Sequence, residues 1–534
     1  MPIPEYKPHC PFCWCYVGYS VNSLHLYDFL FISIFTITMH DRISFDADPL
    51  VRPRPDAKHI LVIGGGVTGL VTSWALLDRG YRVTIMSKKW ASYSKEQRLT
   101  SQIAGALWEY PPAVCGQHTD SISLHHSRRW CMLAYRIWDA IAADPELSRL
   151  SGVQMKQSAF FFPFKVEEND EQHQKMLDIE ASGVRGFKHS SGLVEHYGVN
   201  PKYGCKDAYE LTAPIIDTDT AMLWLMQLTA SKGATFVTEA IEGDIFEQEQ
   251  ELHRRFNSDV IVNATGLAGF QIAQDKSCYP IRGALVRVVN DGSDFTKVDA
   301  ALSISADARH ENHTPNEIVF IVPRSDRILL LGGISQPHQW DLDLTLQSPV
   351  IKRMKARCEE FLPRLQDARM DEEYPLAQGL RPFRKRNVRV ERELRFHKPS
   401  VDHANVNGNG HVNGNGHHNG NGHVNGNGYR DAHLNGNGQV NGNGHSNGND
   451  HSNGNGHSNG NGHSNGNGHS NGNGHLNGNG HFNGTENVGI ASKIVHSYGQ
   501  GGAGWSLSFG CAETALGLVE EVLAGMPPKP MSLD

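Results

Sequence analysis

His59-Ile-Leu-Val-Ile-Gly-Gly-Gly-Val-Thr-Gly-Leu70 is the stretch that decides the fold of this chain. Its residues 60–63 are apolar without polar alternation, which is typical of a strand buried in a parallel sheet. The glycines that follow have G-x-G-x-x-G spacing. Gly64 permits a tight turn, Gly66 permits close approach of a pyrophosphate, and Gly69 permits close packing of a helix on the strand. The sequence therefore predicts a strand, a glycine turn and a helix whose N-terminus binds a dinucleotide phosphate.

The residues that follow this stretch complete a βαβ unit. The helix predicted over 67–79 ends at Gly80, and 81–86 is predicted to be a second strand. An acidic residue that binds the ribose is expected about 20 residues beyond the glycines, but the second strand ends in Ser87-Lys88-Lys89. A serine hydroxyl can bond a ribose hydroxyl, so Ser87 is the predicted ribose contact. The choice among FAD, NAD and NADP stays open at this point.

Length and composition limit the class of protein. A chain of 534 residues has room for two or three domains, although part of it has too few apolar residues to build a core. The formal net charge is −8 and the Lys and Arg residues are scattered, which argues against nucleic-acid binding. Most of the nine cysteines are isolated, as expected in a reducing compartment and not in a disulfide framework.

Residues 1–56 are predicted to be a poorly ordered N-terminal extension. The apolar run 29–37 is too short to span a membrane and no signal-peptide pattern precedes it, so no membrane partner is expected. Cys10 and Cys13 lack a second Cys or His pair at zinc spacing, and no metal site is predicted. Met39 is an alternative start of the chain.

Residues 404–484 are a repeat built almost entirely of Asn, Gly, His and Ser, with a period near six. Such a composition offers no apolar surface to offset the entropy cost of ordering the chain. The repeat is therefore predicted to be a disordered loop.

The remaining chain shows two kinds of pattern. Residues 152–214 differ from the segments on either side, which is consistent with a second domain inserted into the first. The strand predicted over 258–266 ends in Ala-Thr-Gly, small residues that suit the edge of a sheet beside a cofactor. Further helices are predicted over 121–143, 173–183, 218–232, 349–361 and 506–523, and further strands over 159–163, 234–240, 279–289, 317–323, 327–333 and 490–495.

Several motifs, taken in order, resemble the D-amino-acid oxidase family of FAD-dependent enzymes, which includes D-aspartate oxidase. They extend from residue 57 to about residue 525 with only the repeat intruding, and together they are more specific than the glycine pattern alone. The matching segments are 63–69 (IGGGVTG), 104–108 (AGALW), 260–267 (VIVNATGL), 279–283 (YPIRG), 331–334 (LGGI) with 340–341 (WD), 379–382 (GLRP) with 390–393 (VERE), and 496–504 (HSYGQGGAG).

The resemblance implies an α/β fold of two domains. One is a Rossmann-like FAD-binding domain, and the other is a substrate domain with a mixed, mainly antiparallel sheet. The FAD-binding domain is expected to comprise 57–150, 218–274, 369–403 and 485–534, and the substrate domain 151–217 and 275–368.

The resemblance also implies a reaction. The α-hydrogen of a D-amino acid moves as hydride to the flavin of FAD, the imino acid hydrolyses to a 2-oxo acid and ammonia, and O₂ accepts the electrons to give hydrogen peroxide. Arg381 is expected to bind the substrate carboxylate through its planar fork, and Gly502 to accept the substrate amine through its carbonyl. The expected cofactor contacts are Gly64, Gly65, Gly66, Val67, Thr68, Gly69, Ser87, Thr100, Ser101, Ala104, Gly105, Leu107, Thr265, Gly266, Gly501, Gly502, Ala503, Gly504 and Trp505.

Two further candidates for the substrate site depart from the family pattern. Phe320 stands where the family commonly has a tyrosine that bonds the carboxylate, so Arg381 would bind it with less help. Glu109 stands where a neutral amide is frequent, and it either favours a basic substrate or is a solvated loop acid.

These departures keep other functions open. One is oxidation of a different amine or of an N-substituted amino acid by a flavin oxidase in specialised metabolism. Another is a catalytically silent flavin-binding protein that uses the repeat as an interaction surface. An NADP-dependent dehydrogenase fits Ser87-Lys88-Lys89 but not the C-terminal glycine loop.

The expected partners are a small-molecule amino acid and O₂. A homodimer is compatible with the sequence. The C-terminal residues 531–534 lack a Ser-Lys-Leu type of peroxisomal signal, so a cytoplasmic location is expected, with the peroxisome as the alternative.

Overall fold

The computed structural model describes residues 43–113, 121–304, 317–385, 387–398 and 489–531, together with short strand segments inside the repeat. The strands of the folded part are β1 (His59–Ile63), β2 (Arg82–Ser87), β3 (Val153–Phe162), β4 (Lys188–His189), β5 (Asp207–Ile216), β6 (Thr235–Thr238), β7 (Val260–Asn263), β8 (Cys278–Val289), β9 (Ala301–Ile304), β10 (Glu317–Pro323), β11 (Ile328–Ile334), β12 (Gln336–Pro337), β13 (Leu376–Arg384), β14 (Arg389–Arg392), β15 (Phe396–His397), β16 (Ile490–Ala491) and β17 (Ile494–Tyr498). The helices are α1 (Val67–Asp78), α2 (Thr100–Ile103), α3 (Ser121–Ala143), α4 (Pro145–Ser151), α5 (Asp170–Ala181), α6 (Leu193–His196), α7 (Thr218–Ser231), α8 (Glu249–Phe256), α9 (Gly269–Ile272), α10 (Pro349–Phe361) and α11 (Gly504–Leu523).

The first sheet has six strands in the order β14-β17-β7-β1-β2-β6. β1 is parallel to both of its neighbours, and Ile63 at its end is level with Met86 of β2 and Asn263 of β7. Residues 60–62 have no exposed surface, as expected for a central strand. The carboxyl ends of β1, β2 and β7 therefore meet at one edge, which is where parallel α/β sheets bind their ligands.

Helices cover the first sheet on both faces. A large apolar cluster joins α1, α3, α7 and α11 to one face, with Trp74 and Phe509 in ring contact at 5.4 Å. A smaller cluster with Phe246 and Leu252 covers the other face. Burial on both faces explains why the strands of this sheet are apolar runs without alternation.

The second sheet has nine strands in the order β12-β8-β11-β10-β9-β3-β5-β4, with β13 also paired to β8. Its pairs are antiparallel except β3 with β9. This confirms the mixed, mainly antiparallel sheet that the family resemblance implies. Helix α10 packs on this sheet through Met354, Cys358 and Phe361.

Most of the predicted elements are present with bounds within a few residues, and two assignments need correction. The strand predicted over 490–495 is two strands, because β16 pairs with β15 whereas β17 pairs with β14 and β7. Residues 369–403 were assigned to the FAD-binding domain, but β13 pairs with β8 over its whole length and so belongs to the second sheet.

Two predictions concern parts of the chain that are mostly outside the described residues. The expected disorder of 1–56 lies outside the described residues up to 42. It does not hold for 43–56, because Ile43 is buried and the backbone N–H groups of Ser44 and Leu50 donate to Asp78 at 2.7 and 2.9 Å. Within the repeat, the described residues form short strand segments that pair in parallel, for example His445–Asn447 with His457–Asn459. Among the described helices, none combines the length and apolar character needed to cross a bilayer.

Candidate functional site

The glycine turn after β1 is packed too tightly for side chains. A Cβ on Gly69 would lie 1.9 Å from the carbonyl oxygen of Gly64, and a Cβ on Gly64 would lie 2.3 Å from that of Ala264. Gly64 also has a φ of +125°, a conformation that favours glycine. The turn therefore holds the N-terminus of α1 against the ends of β1 and β7, where the sequence predicts the pyrophosphate.

A cavity of about 880 Å³ extends from this turn to the second sheet. Arg381, Gly502, Phe320 and Glu109, the four residues predicted at the substrate, all line it. The predicted cofactor contacts that line it are Gly64, Gly65, Gly66, Val67, Thr68, Ser87, Thr100, Ser101, Ala104, Gly105, Leu107, Thr265, Gly266, Gly501, Gly502, Gly504 and Trp505.

Two predicted cofactor contacts lie behind the cavity wall instead of in it. Gly69 packs against Gly64, so its role is to allow close approach of α1. Ala503 is buried and precedes the first residue of α11. Both support residues that line the cavity.

Helix α2 ties the cavity wall to distant parts of the chain. The Ser101 hydroxyl accepts the backbone N–H of Val67 at 3.1 Å, and the Ser101 carbonyl accepts Trp505 Nε1 at 2.8 Å. The Thr100 hydroxyl donates to the carbonyl of Leu380 at 3.3 Å. Thr100 and Ser101 therefore connect the N-terminus of α1, β13 and α11, in addition to lining the cavity.

Ser87 lies at the end of β2, where the ribose is expected. Its hydroxyl donates to the carbonyl of Lys89 at 2.7 Å and accepts the backbone N–H of Gly65 at 3.2 Å. The hydroxyl proton is therefore used within the chain, and a ribose hydroxyl would have to donate to Ser87.

The sequence prediction missed one wall at this end of the cavity. Residues 239–243 follow β6 and line the cavity. They reach it because β6 pairs with β2, and the backbone N–H of Glu239 donates to the carbonyl of Ser87 at 3.0 Å. A prediction that β6 pairs with β2 would have placed this segment at the cavity.

Thr265 is held by a buried polar chain. The side-chain oxygen of Asn263 accepts both the backbone N–H and the hydroxyl of Thr265, and its amide nitrogen lies 3.2 Å from His496 Nδ1. His496 Nε2 lies 3.2 Å from Glu393. Burial lowers the pKa of His496, so we assign a neutral ring with its proton on Nε2.

Arg381 brings a positive charge to the cavity wall. Its Nη1 donates to the carbonyl of Ile334 at 3.0 Å, and among the described residues no carboxylate lies within 4.0 Å of its guanidinium. The guanidinium lies over Gly283, where a Cβ would be only 2.5 Å from Arg381 Cζ. The glycine of the 279–283 motif therefore makes room for Arg381.

Arg324 is a second arginine at the site, and sequence reasoning missed it. It is buried at the end of β10, and its Nη2 donates to the carbonyls of Ala104 at 2.8 Å and Gln102 at 3.3 Å. Burial lowers the pKa of Arg324 to about 10, so it stays charged at neutral pH. It fixes the backbone of the cavity-lining loop after α2, and nothing in its local sequence marks this role.

Phe320 packs on the same loop. A Cβ on Gly105 would lie 2.3 Å from Phe320 Cζ, so the ring sits directly against the backbone of Gly105. Phe320 therefore contributes an apolar surface where the family pattern has a hydroxyl.

Glu109 is not the solvated loop acid that was one of its two predicted interpretations. Its Oε1 accepts a hydrogen bond from Lys175 Nζ at 2.7 Å, and the Glu109 and Lys175 side chains are 14% and 6% exposed. It is therefore a member of a buried ion pair and not a solvated loop acid, and its charge is already balanced by a cation. The prediction failed because Lys175 is 66 residues away in the chain.

These residues fit a bound dinucleotide. The glycine turn leaves space that side chains would fill, and the N-terminus of α1 faces the cavity with Gly66, which has no side chain of its own to cap the helix, as its N-cap. The cavity continues past α2 to Arg381 and Phe320, so one molecule bound along it would reach the second sheet.

Comparisons with known proteins agree with this description. Residues 59–429, more than half of the chain, match the profile of the family described as FAD dependent oxidoreductase (DAO). A D-amino-acid oxidase of Rubrobacter xylanophilus is 27% identical over 352 residues, which cover 66% of this chain and 90% of that protein. A D-amino-acid oxidase of Streptomyces coelicolor is 27% identical over 335 residues, which cover 62% of this chain and 85% of that protein.

A solved structure supports the fold. The glycine oxidase from Geobacillus kaustophilus superimposes with a TM-score of 0.50 at 14% sequence identity, covering 87% of this chain and 95% of that chain. Together with the family match, the two-sheet architecture and the glycine turn, this identifies an FAD-dependent oxidoreductase with FAD as its cofactor. The chain therefore belongs to the DAO family of FAD-dependent oxidoreductases.

Proposed function

We propose that this protein oxidises a D-amino acid to its 2-oxo acid. The Cα–N bond becomes an imine as the substrate loses two electrons and two protons, and water then hydrolyses the imine to the 2-oxo acid and ammonia. O₂ takes up the two electrons and two protons and leaves as hydrogen peroxide. Bound FAD supplies the two-electron acceptor between substrate and O₂.

The surroundings of the Arg381 guanidinium are the main support for this proposal. A half-buried guanidinium with one carbonyl partner, and no carboxylate beside it in the described part of the chain, has donors left for a ligand. A planar guanidinium binds a carboxylate through two parallel hydrogen bonds, which also orient the bound molecule. A substrate that carries a carboxylate next to its reacting carbon would thus be held with that carbon in a fixed position.

The loop before α11 supports the position of the amine. The backbone N–H of Gly501 donates to the carbonyl of Pro382 at 2.9 Å, which tethers this loop beside Arg381. Gly502 follows it, is exposed and lines the cavity. We assign the Gly502 carbonyl as the acceptor for the substrate amine, one loop away from the carboxylate.

Apolar side chains line the part of the cavity formed by the second sheet. Leu285, Ile318 and Phe320 contribute to its wall together with Leu107. These residues would exclude water from the reacting carbon. In that less polar environment, the electrostatic attraction between Arg381 and the carboxylate would be stronger.

The D configuration and the amino-acid class rest partly on relatives. Two of them are named D-amino-acid oxidase, and each is aligned over most of its own length. The identity of 27% supports the reaction class more than a particular side chain.

Anaerobic spectroscopy of the FAD-loaded protein tests the proposal. D- and L-amino acids with acidic, basic, neutral and cyclic side chains are added in turn while the oxidised-flavin absorbance is followed. We expect bleaching with D-amino acids, release of ammonia and, after air is admitted, formation of hydrogen peroxide. Bleaching by the L-enantiomers alone would contradict the assigned configuration.

Phe320 favours a second candidate. Without a hydroxyl at this position, the carboxylate has one partner fewer, which suits a substrate whose binding depends less on that group. Such a substrate is another amine or an N-substituted amino acid. Bleaching by N-methyl amino acids or simple amines, but not by free amino acids, would favour this candidate, whereas no bleaching by any amine would favour a catalytically silent flavoprotein.

A further inference from the structure

We infer that Lys175 neutralises Glu109 in the wall of the substrate pocket and thereby makes the pocket select substrates with uncharged side chains. The inference rests on the proposed function, because it assumes that Arg381 binds the carboxylate of the substrate. It assigns to Lys175 a specificity-determining role, although Lys175 is not itself among the residues that line the cavity.

The position of Glu109 places it away from Arg381. Arg381 lies on β13, which pairs with β8 on one side of the second sheet. The loop that leads to Glu109 meets β5 near the other side, where Leu107 forms an isolated bridge with Ile215. A substrate held at Arg381 by its carboxylate would therefore direct its side chain toward the Glu109 part of the cavity.

Lys175 reaches Glu109 from behind the cavity wall. It lies on α5, and its ammonium group lies 2.7 Å from Glu109 Oε1. Burial on its own would lower the pKa of Lys175, but the charge and hydrogen bond of Glu109 outweigh burial and raise it. Lys175 therefore carries its positive charge at neutral pH, and it holds this charge 2.7 Å from the Glu109 carboxylate.

Two described neighbours of the pair bring no charge to it. The Tyr209 hydroxyl is buried near Lys175, and burial raises the pKa of Tyr209 to about 12, so it stays protonated. The Cys131 thiol donates to the backbone carbonyl of Glu109 at 3.5 Å, and burial raises the pKa of Cys131 well above its usual value. These neighbours do not alter the balance between Glu109 and Lys175.

The remaining wall gives a charged side chain little to bind. Leu107, Leu285 and Phe320 are apolar, and the hydroxyl of Ser303 is already used in a hydrogen bond to the carbonyl of Val319 at 3.3 Å. A cationic side chain entering this space would lose its hydration without gaining an unbalanced anion. An uncharged side chain has no such penalty, so the balanced pair discriminates against charge of either sign.

Binding of unreactive ligands to the FAD-loaded protein tests the inference without turnover. Hexanoate and octanoate are compared with 6-aminohexanoate and 8-aminooctanoate, which have the same carboxylate and chain length but end in an ammonium group. Perturbation of the flavin absorbance gives each Kd. In the natural protein we expect the alkanoates to bind more tightly than their amino analogues.

Lys175→Met is the informative variant, because it leaves the Glu109 carboxylate without Lys175. We expect the ratio of the two Kd values to move by at least about tenfold in favour of the amino analogues. Glu109→Gln leaves Lys175 without its anion and should move selectivity the other way, toward the dicarboxylates adipate and suberate. If Lys175→Met does not fold, Glu109→Gln alone still tests the inference through this opposite shift.

The double variant Lys175→Met with Glu109→Gln is the matched control, since its pair again sums to zero. It should show the charge selectivity of the natural protein. Unchanged ratios in both single variants, or no binding of any of these ligands, would overturn the inference. Failure of every amino acid to bleach the flavin would overturn the proposed function instead, because the ligand titration needs no reaction.

Discussion

Arg381 is the residue on which the proposed substrate binding depends most directly. Replacing it with Met removes the charge and the fork but keeps much of the side-chain volume. We expect KM for a carboxylate substrate to rise about 100-fold or more, because roughly 3 kcal/mol of charge-assisted binding is lost. Steady-state oxygen consumption measures this change.

Two controls accompany Arg381→Met. Arg381→Lys keeps the charge without the planar fork and should give an intermediate KM. Flavin content should match that of the natural protein, since Arg381 contacts Ile334 and Gly283 and no residue of the glycine turn. An unchanged KM in Arg381→Met would remove the assigned role.

Gly105 and Phe320 are coupled by direct contact. Gly105→Ala would place a methyl group 2.3 Å from Phe320 Cζ, so the ring must move. We expect this substitution to lower the free energy of unfolding by about 1–3 kcal/mol and to weaken FAD binding. Phe320→Leu in the same chain shortens the side chain and should recover part of both losses.

A double-mutant cycle measures this coupling. The penalty of Gly105→Ala should be smaller in the Phe320→Leu background by about 0.5–3 kcal/mol, as found for residues in contact. If Gly105→Ala lowers the free energy of unfolding equally in both backgrounds, the added methyl group does not contact the Phe320 ring. Urea unfolding and FAD titration are suitable readouts.

Single residues differ in how well the sequence predicts them. The roles of Gly64 and Gly69 follow from spacing alone, because a glycine turn between a strand and a helix is a local structure. Glu109 could not be interpreted in this way, because the meaning of its charge depends on Lys175, which comes from another helix. Arg324 was missed for the same reason, since its partners are carbonyl groups distant in sequence.

Asp275 illustrates how one side chain joins three elements. It follows α9 and accepts hydrogen bonds from Arg384 of β13 at 2.6 Å and from Tyr498 of β17 at 3.0 Å. Burial alone would raise the pKa of Asp275, but the bonds from Ser277, Arg384 and Tyr498 outweigh it and lower this pKa to about 2. The carboxylate therefore stabilises the junction of the two sheets beside the cavity.

Asp275→Asn should destabilise the protein in a pH-dependent way. The folded pKa is below the unfolded one, so the contribution is present above about pH 4 and is lost as pH falls toward about 2. After allowance for partial exposure, we expect a loss of about 1–2 kcal/mol at neutral pH. Unfolding of both proteins from pH 7 to pH 3 measures this, and a difference that does not shrink on acidification would contradict it.

Elements were predictable where their pattern is strong and local. Helix α3 over 121–143 and α10 over 349–361 have the predicted bounds, because apolar residues recur at helical spacing. β13 was placed in the wrong domain, since a strand carries little information about which strand it pairs with. The break between β16 and β17 separates strands that pair with different partners, and no local pattern contains this information.

Removal of the repeat tests whether the folded part of the molecule is independent of it. The chain leaves the fold after β15 and returns at β16, and these two strands pair with Phe396 opposite Ala491. Because the ends of the insertion are neighbours, deletion of 404–484 needs no rearrangement of either sheet. We expect unchanged flavin content and kcat, and a thermal midpoint close to that of the full chain.

Replacement of the repeat by a linker is the control for this deletion. Replacing 404–484 with a Gly-Ser linker of equal length keeps the separation in sequence and removes the histidines. It should behave as the deletion does. Loss of flavin in both variants would show that the repeat contributes to the folded part, whereas loss in the linker variant alone would indicate an effect of the linker.

At the scale of the whole molecule, the family resemblance predicted more than the residue patterns did. The βαβ unit at residue 59 indicated one nucleotide-binding sheet, but it could not show that a second sheet closes the cavity. That arrangement depends on contacts such as Arg324 with Ala104, between segments more than 200 residues apart. The order of the motifs contained this information, because they come from both sheets.

The pairing of β15 with β16 also bears on how the gene can change. Tandem repeats gain and lose whole units when their DNA is copied, and most such changes inside a domain would shift strands out of register. Here each added or removed unit lies outside a two-strand stem that keeps the distance from β14 to β17 constant. Alleles with different numbers of repeat units should therefore encode equally active proteins, and this site is a suitable point at which to insert a fluorescent reporter.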